Sequence, residues 1–230
     1  MRRRPSILKK LLLRFLCGFL LISIASIVIM RFVPPPVTPL MVIRGLEQVA
    51  KGNGFIMKKQ WQPLGKMSPS LVQAVIASED QKFLRHSGFD FEAISKAYAD
   101  NSRGKKQKGA STISQQTAKN LFLWPASSYF RKAVEVYFTL LLELIWNKER
   151  IIEVYLNVAE FGPGIYGAEQ AAQSYFKKPA ARLTAKEAAM LAAILPAPRR
   201  WNAAQPTAYL QQRRQWILRQ MRNIGPVGLN

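Results

Sequence analysis

The chain has 230 residues and a formal charge of +21, from 34 lysines and arginines against 13 aspartates and glutamates. So basic a chain seeks anions such as nucleic acid, anionic lipid headgroups or phosphate-bearing substrates. A single cysteine and a single histidine exclude an internal disulfide, a cysteine metal cluster and a histidine-rich zinc site.

Arg2, Arg3, Arg4, Lys9, Lys10 and Arg14 make residues 1–14 a basic tail. The segment 15–33 is expected to be a transmembrane anchor. It carries no charge from Phe15 to Met30, and with Leu11–Leu13, Phe32 and Val33 it reaches about 20 apolar residues, the length that crosses a bilayer. The positive flank should stay in the cytoplasm, leaving everything after residue 33 outside, away from nucleic acid and beside membrane lipids. A cleaved signal peptide is the alternative, but no small-x-small site precedes Arg31 and the apolar run is long for a signal.

Residues 34–40, with Pro34, Pro35, Pro36 and Pro39, read as a stiff extended spacer, and 41–230 as one domain. The stretch 40–67 is mixed and predicts a short strand or irregular structure. From Ser68 on, apolar residues recur with helical period, and helices are predicted near 69–86, 91–100, 113–123, 128–146, 148–157, 165–176, 185–195 and 206–223. No sheet is expected, so the fold class is mainly α. Residues 102–109 form a glycine-punctuated basic loop. The helix near 128–146 is apolar nearly all round, which predicts burial.

Glu79 is the most informative residue. In the helix opened by Ser68 and Pro69, Leu71, Val72, Val75 and Ile76 form one apolar stripe. Glu79 projects into it, with Phe83 and His86 following on the same face. A carboxylate held among apolar groups loses hydration, its pKa rises, and it becomes able to exchange a proton near neutrality. Pairing with a buried cation would be the ordinary use of such a residue. Further on, Thr112 and Gln115 fit a capping box, and Thr112, Gln115, Gln116 and Lys119 fall on one helical face. A helix N-terminus with an added ammonium suits a phosphate or sugar hydroxyls, although a solvated polar face would look the same. Arg131 and Glu135 lie one turn apart, an intrahelical pair or a way to place charge beside a substrate.

Glu79–Gly88 resembles the motif E-D-x-x-F-x-x-H-x-G that opens the peptidoglycan glycosyltransferases. Gly109–Asn120 resembles their G-x-S-T-x-x-Q-Q-x-x-K-N, Arg131–Glu135 their R-K-x-x-E, and Lys148–Asn157 their K-x-x-I-x-E-x-Y-L-N. Gly164–Glu169 with Ala171 and Ala172 continues the order. With its anchor, the chain resembles the monofunctional, membrane-anchored members of that family.

The resemblance implies a lysozyme-like helical fold in the inner membrane, with the N-terminus cytoplasmic and the domain periplasmic. It implies polymerisation of lipid II onto a growing glycan strand, with inversion at the anomeric carbon and release of undecaprenyl pyrophosphate. Glu79 would be the general base. Lys119 and Arg131 would hold the leaving pyrophosphate. Asp80, Thr112, Gln115, Gln116 and Asn120 would complete the substrate-contacting set, Asp80 and His86 chiefly organising the first motif. Glu135 would assist at the donor, with a divalent Mg or Mn ion as its expected aid and no organic cofactor. Other cell-wall synthesis and division proteins are expected partners. A lysozyme-like glycan-cleaving enzyme and a non-catalytic membrane-anchored scaffold are the rival readings.

Overall fold

The structure, a computed structural model, describes residues 7–102 and 110–228. Residues 1–6 of the basic tail and nearly all of the loop 102–109 therefore lie outside the described residues. Contacts divide the chain into two units, Met1–Pro35 and Pro36–Asn230. The described part of the first is α1 (Ile7–Phe32), long and apolar enough to cross a membrane. At about 1.5 Å per residue it exceeds a hydrocarbon core of roughly 30 Å.

The second unit is mainly α, as expected, but begins differently. Thr38 caps α2 (Pro39–Ala50), its hydroxyl accepting from the Met41 N–H at 3.4 Å, and Pro39 takes the first helical position. The spacer therefore gives way to helix at its last two residues, and the stretch expected to be mixed opens with three helical turns. At Gly45 a Cβ would stand 2.2 Å from the Phe55 ring, so any other residue there would displace that ring.

Next come β1 (Lys58–Lys59) and α3 (Pro69–Glu79). The predicted helix 69–86 stops at Glu79, and residues 80–88 form a tight turn closed by Gly88 at φ +89°. The helices α4 (Phe91–Ser102), α5 (Ile113–Phe122), α6 (Tyr129–Ile145) and α7 (Lys148–Val158) follow close to their expected bounds. Contrary to expectation there is a small sheet, ordered β1-β3-β2, built with β2 (Glu160–Gly162) and β3 (Ile165–Tyr166). It takes the residues read as the start of the next helix, so α8 is Ala168–Phe176. The chain continues through α9 (Ala185–Ile194) and α10 (Ala208–Ile224).

Two packed groups build the core. Helix α9 is buried from Ala188 to Ile194, its alanines letting α3 and α10 come close on either side. Helix α5 lies between α6 and α7, with Phe122 stacked on Phe138 at 4.2 Å. Burial of α6 is only partial, which corrects the expectation. Glu135, Phe138, Thr139 and Leu142 face inward, whereas Tyr129, Phe130, Leu140 and Leu144 are exposed. Its neighbours cover one side only, and Phe91 and Tyr98 of α4 are likewise bare.

Candidate active site

Glu79 is the last residue of α3, held there by packing of Leu71, Val72, Val75 and Ile76 into the core. Its Oε2 accepts from the Gln116 amide at 3.0 Å and its Oε1 from the Ser78 hydroxyl at 3.2 Å. The same Gln116 accepts at its carbonyl from the Tyr155 hydroxyl at 3.1 Å, so the amide is oriented from both ends. Behind Ser78 stands Arg213 of α10, Nη2 3.3 Å from the Ser78 hydroxyl, its guanidinium over the Trp216 ring. Burial pushes the Glu79 carboxyl above its ordinary range. The hydrogen bonds from Gln116 and Ser78, and the charges of Arg213 and Lys119, pull the other way without cancelling it.

The turn 80–88 ties this carboxylate to α5. Asp80 is buried and accepts from the Ile113 N–H at 3.0 Å and from His86 Nε2 at 2.9 Å. His86 Nδ1 in turn accepts from the Gly88 N–H at 3.1 Å, which leaves the ring proton on Nε2. Lys148 donates to the His86 carbonyl at 2.6 Å and to Glu143 at 2.7 Å, and lies over the Phe83 ring. At Gly88 a Cβ would stand 2.9 Å from the Thr139 methyl, and the positive φ disfavours any other residue. Asp80 and His86 thus form a brace, as expected of them. Phe83 and His86 do not continue a helical face below Glu79, because Asp80 has turned its carboxylate to the start of α5.

One cleft is lined by Glu79 and a second by its partner Gln116. The smaller, about 270 Å³, is lined by Glu79 and Asp80 with Lys82, Lys96 and Thr112 among others. The larger, about 500 Å³, is lined by Gln116, Lys119, Asn120, Arg131 and Tyr155, with Arg44 and Glu160 on another wall. Gln116 therefore joins Glu79 to the cation-bearing cleft. Lys119 is reachable by solvent inside that cleft, yet the surrounding walls strip its hydration and lower its pKa, while Glu135 opposes the fall. A third hollow of about 740 Å³, bounded by Gln73, Arg150, Glu153 and Val227 among others, touches none of the candidate residues.

The expected row of four substrate contacts divides in two. Thr112 and Gln115 close a capping box, with Gln115 N–H to Thr112 Oγ1 at 3.2 Å and Thr112 N–H to Gln115 Oε1 at 3.0 Å. Thr112 also donates to the Gly88 carbonyl at 2.6 Å. Both side chains are buried in this work, although Thr112 still borders the smaller cleft. Gln116, Lys119 and Asn120 face the larger one.

Glu135 is buried, with Oε2 2.6 Å from Arg131 Nη1 and Oε1 against Lys132. Among the described residues no three His, Cys, Asp or Glu side chains stand together to hold a metal. A lone carboxylate already engaged by two cations is a poor donor set for a divalent ion. What the geometry favours is Glu135 setting the direction of Arg131.

Several contributors escape a reading of the sequence. Arg213 reaches Ser78, beside Glu79, across 135 positions, and Arg44 reaches the larger cleft from α2. Tyr155 stands inside the fourth motif, yet only the fold reveals that it orients Gln116.

The transglycosylase family model matches residues 47–222. A biosynthetic peptidoglycan transglycosylase of Shewanella oneidensis is 52% identical over 218 residues, covering 95% of this chain and 93% of that protein. One from Aeromonas hydrophila is 50% identical over 230 residues, with 99% and 97% covered. One from Bacteroides thetaiotaomicron is 52% identical over 226 residues, with 97% and 91% covered. Matches of this extent, over a chain whose motif residues gather around one carboxylate and one cation-lined cleft, establish that the chain belongs to the transglycosylase family and is a glycosyltransferase enzyme.

Proposed function

We propose that this enzyme polymerises lipid II into linear peptidoglycan strands, with Glu79 as general base. The acceptor sugar's 4-hydroxyl loses its proton to Glu79, and its oxygen attacks the anomeric carbon of the growing strand. Undecaprenyl pyrophosphate leaves from the opposite face, so the configuration inverts. Lys119 and Arg131 stabilise the charge that develops on the departing phosphates. Gln116 keeps the Glu79 carboxylate turned toward the reaction, and Glu135 aims Arg131.

One observation carries the reading: a carboxylate with a raised pKa lines one cleft and is hydrogen-bonded to Gln116 in the wall of another, which presents a lysine and an arginine. A base and a pyrophosphate clamp are what this chemistry requires, and the relatives' shared name supports the product. Strand cleavage has no use for the clamp, and a scaffold has no use for the base. The chain acts from the inner membrane, held by α1 with its basic tail in the cytoplasm and its domain outside. The exposed apolar side chains of α4 and α6 suit contact with lipid. Labelled lipid II, incubated with the protein and separated on a gel, tests the proposal: a ladder of lengthening strands supports it, whereas unchanged lipid II overturns it.

A further inference from the structure

We propose that Arg44 and Glu160 form a sugar-hydroxyl subsite in the wall of the Lys119 cleft, gripping a ring of the growing strand. The inference rests on the reading that this cleft takes the glycan donor. Arg44 commits Nη1 to both oxygens of Glu47, at 3.0 and 2.7 Å. Its Nε is buried and has no hydrogen-bond partner, the nearest acidic oxygen being Glu160 Oε2 at 3.9 Å. Buried polar atoms in native proteins are nearly always paired, so an unpaired one on a residue that lines a cleft, beside a carboxylate of the same cleft, calls for an occupant.

The spacing suggests the occupant's chemistry. Arg44 Nε can only donate and the Glu160 carboxylate accepts, and 3.9 Å is too long for them to meet. A single hydroxyl oxygen about 2.9 Å from each spans that gap, accepting from one and donating to the other. Arg44 and Arg199 against Glu47 and Glu160 sum to no net charge, so this wall favours a neutral hydroxyl over a phosphate, for which Lys119 and Arg131 are better suited. Trp124, Pro196 and Pro198 line the same cleft and supply flat apolar faces for the C–H side of a sugar ring. A few directed polar groups within an apolar frame are the usual make-up of a ligand site.

Glu160→Gln keeps the shape but removes the charged acceptor, and Arg44→Lys removes Nε. Each should lower affinity for a soluble peptidoglycan tetrasaccharide about tenfold or more, the usual effect of losing a charge-assisted hydrogen bond. Each should also shorten strands made from lipid II. Binding of inorganic pyrophosphate should be unchanged in both, yet weakened in Lys119→Ala. Trp124→Ala removes a partly exposed ring from the same cleft, so it should fold as well as wild type and bind the tetrasaccharide less tightly, which gives a readout even where the charge variants misfold. Wild-type strand length and tetrasaccharide affinity in the folded variants would overturn the subsite alone. A wild-type protein that binds the tetrasaccharide through Glu160 yet builds no strand would instead overturn the polymerase reading.

Discussion

Asp80→Ala should unfold the brace beneath the active site. The Asp80 side chain is almost wholly buried and receives the Ile113 N–H, itself fully buried, together with His86 Nε2. Each buried donor left without an acceptor costs about 1–3 kcal/mol, so the two together cost roughly 4 kcal/mol. In a domain of this size, each kcal/mol lowers Tm by roughly 2–4 °C, so the loss is about 8–16 °C. Asp80→Asn keeps an oxygen for Ile113 and should recover about half. The assay is thermal unfolding followed by circular dichroism in detergent, with His86→Ala and the double variant completing a cycle. Coupling between the two sites should exceed about 1 kcal/mol. A fall below about 3 °C for Asp80→Ala, or strictly additive effects, would refute the brace.

The pH profile of kcat/KM should be bell-shaped and narrower than free side chains would give. Burial raises Glu79, so the base is lost to protonation above 4.5, and burial lowers Lys119, so its cation is lost below 10.5. Arg213→Ala removes one of the charges holding the Glu79 carboxyl down and should move the acid limb upward, with the alkaline limb unmoved. Lys119→Ala and Arg131→Ala should each cut turnover at least a hundredfold, the first with little change in Tm and the second with a lower one, since it leaves the buried Glu135 only Lys132; a folded variant working at near-normal rate would sink the clamp. A chain beginning at Pro36 keeps the Thr38 cap and the whole second unit. It should polymerise lipid II in detergent but only slowly on vesicles, and complete inactivity of this folded chain would contradict the separation of anchor from chemistry.

The 3.6-residue period of Leu71, Val72, Val75 and Ile76 is enough to set Glu79 against the core, and the capping box at Thr112 is local enough to read directly. What ends α3 at Glu79 is not local, since Asp80 finds its acceptor role at Ile113, 33 positions on. Helix α2 hides in a proline-rich run, where Thr38 and Pro39 resemble spacer until the turn after them is seen to close. The strands have two or three residues each, too few to show an alternating pattern. Composition marks α6 as buried, but whether neighbours exist to cover every side is a property of the assembled fold. Gln116 and Gln115 are adjacent and chemically identical, yet one faces Glu79 while the other closes the cap. Helical phase alone could not separate them because both lie near the same face.

Glu79→Gln is the most direct test of the central claim, measured as lipid II polymerisation and Tm on the same sample. The amide keeps the shape but accepts no proton, so strand growth should cease. Stability should move in the opposite sense. A carboxyl raised in the folded protein binds its proton more tightly there than when unfolded, so ionisation at pH 7 costs stability, and that cost disappears as pH falls through the folded pKa. The variant should therefore melt above wild type at pH 7, the difference closing below about pH 4, where the carboxyl is protonated in both states. Substantial strand growth by the folded Glu79→Gln protein would contradict the assignment of Glu79 as the general base.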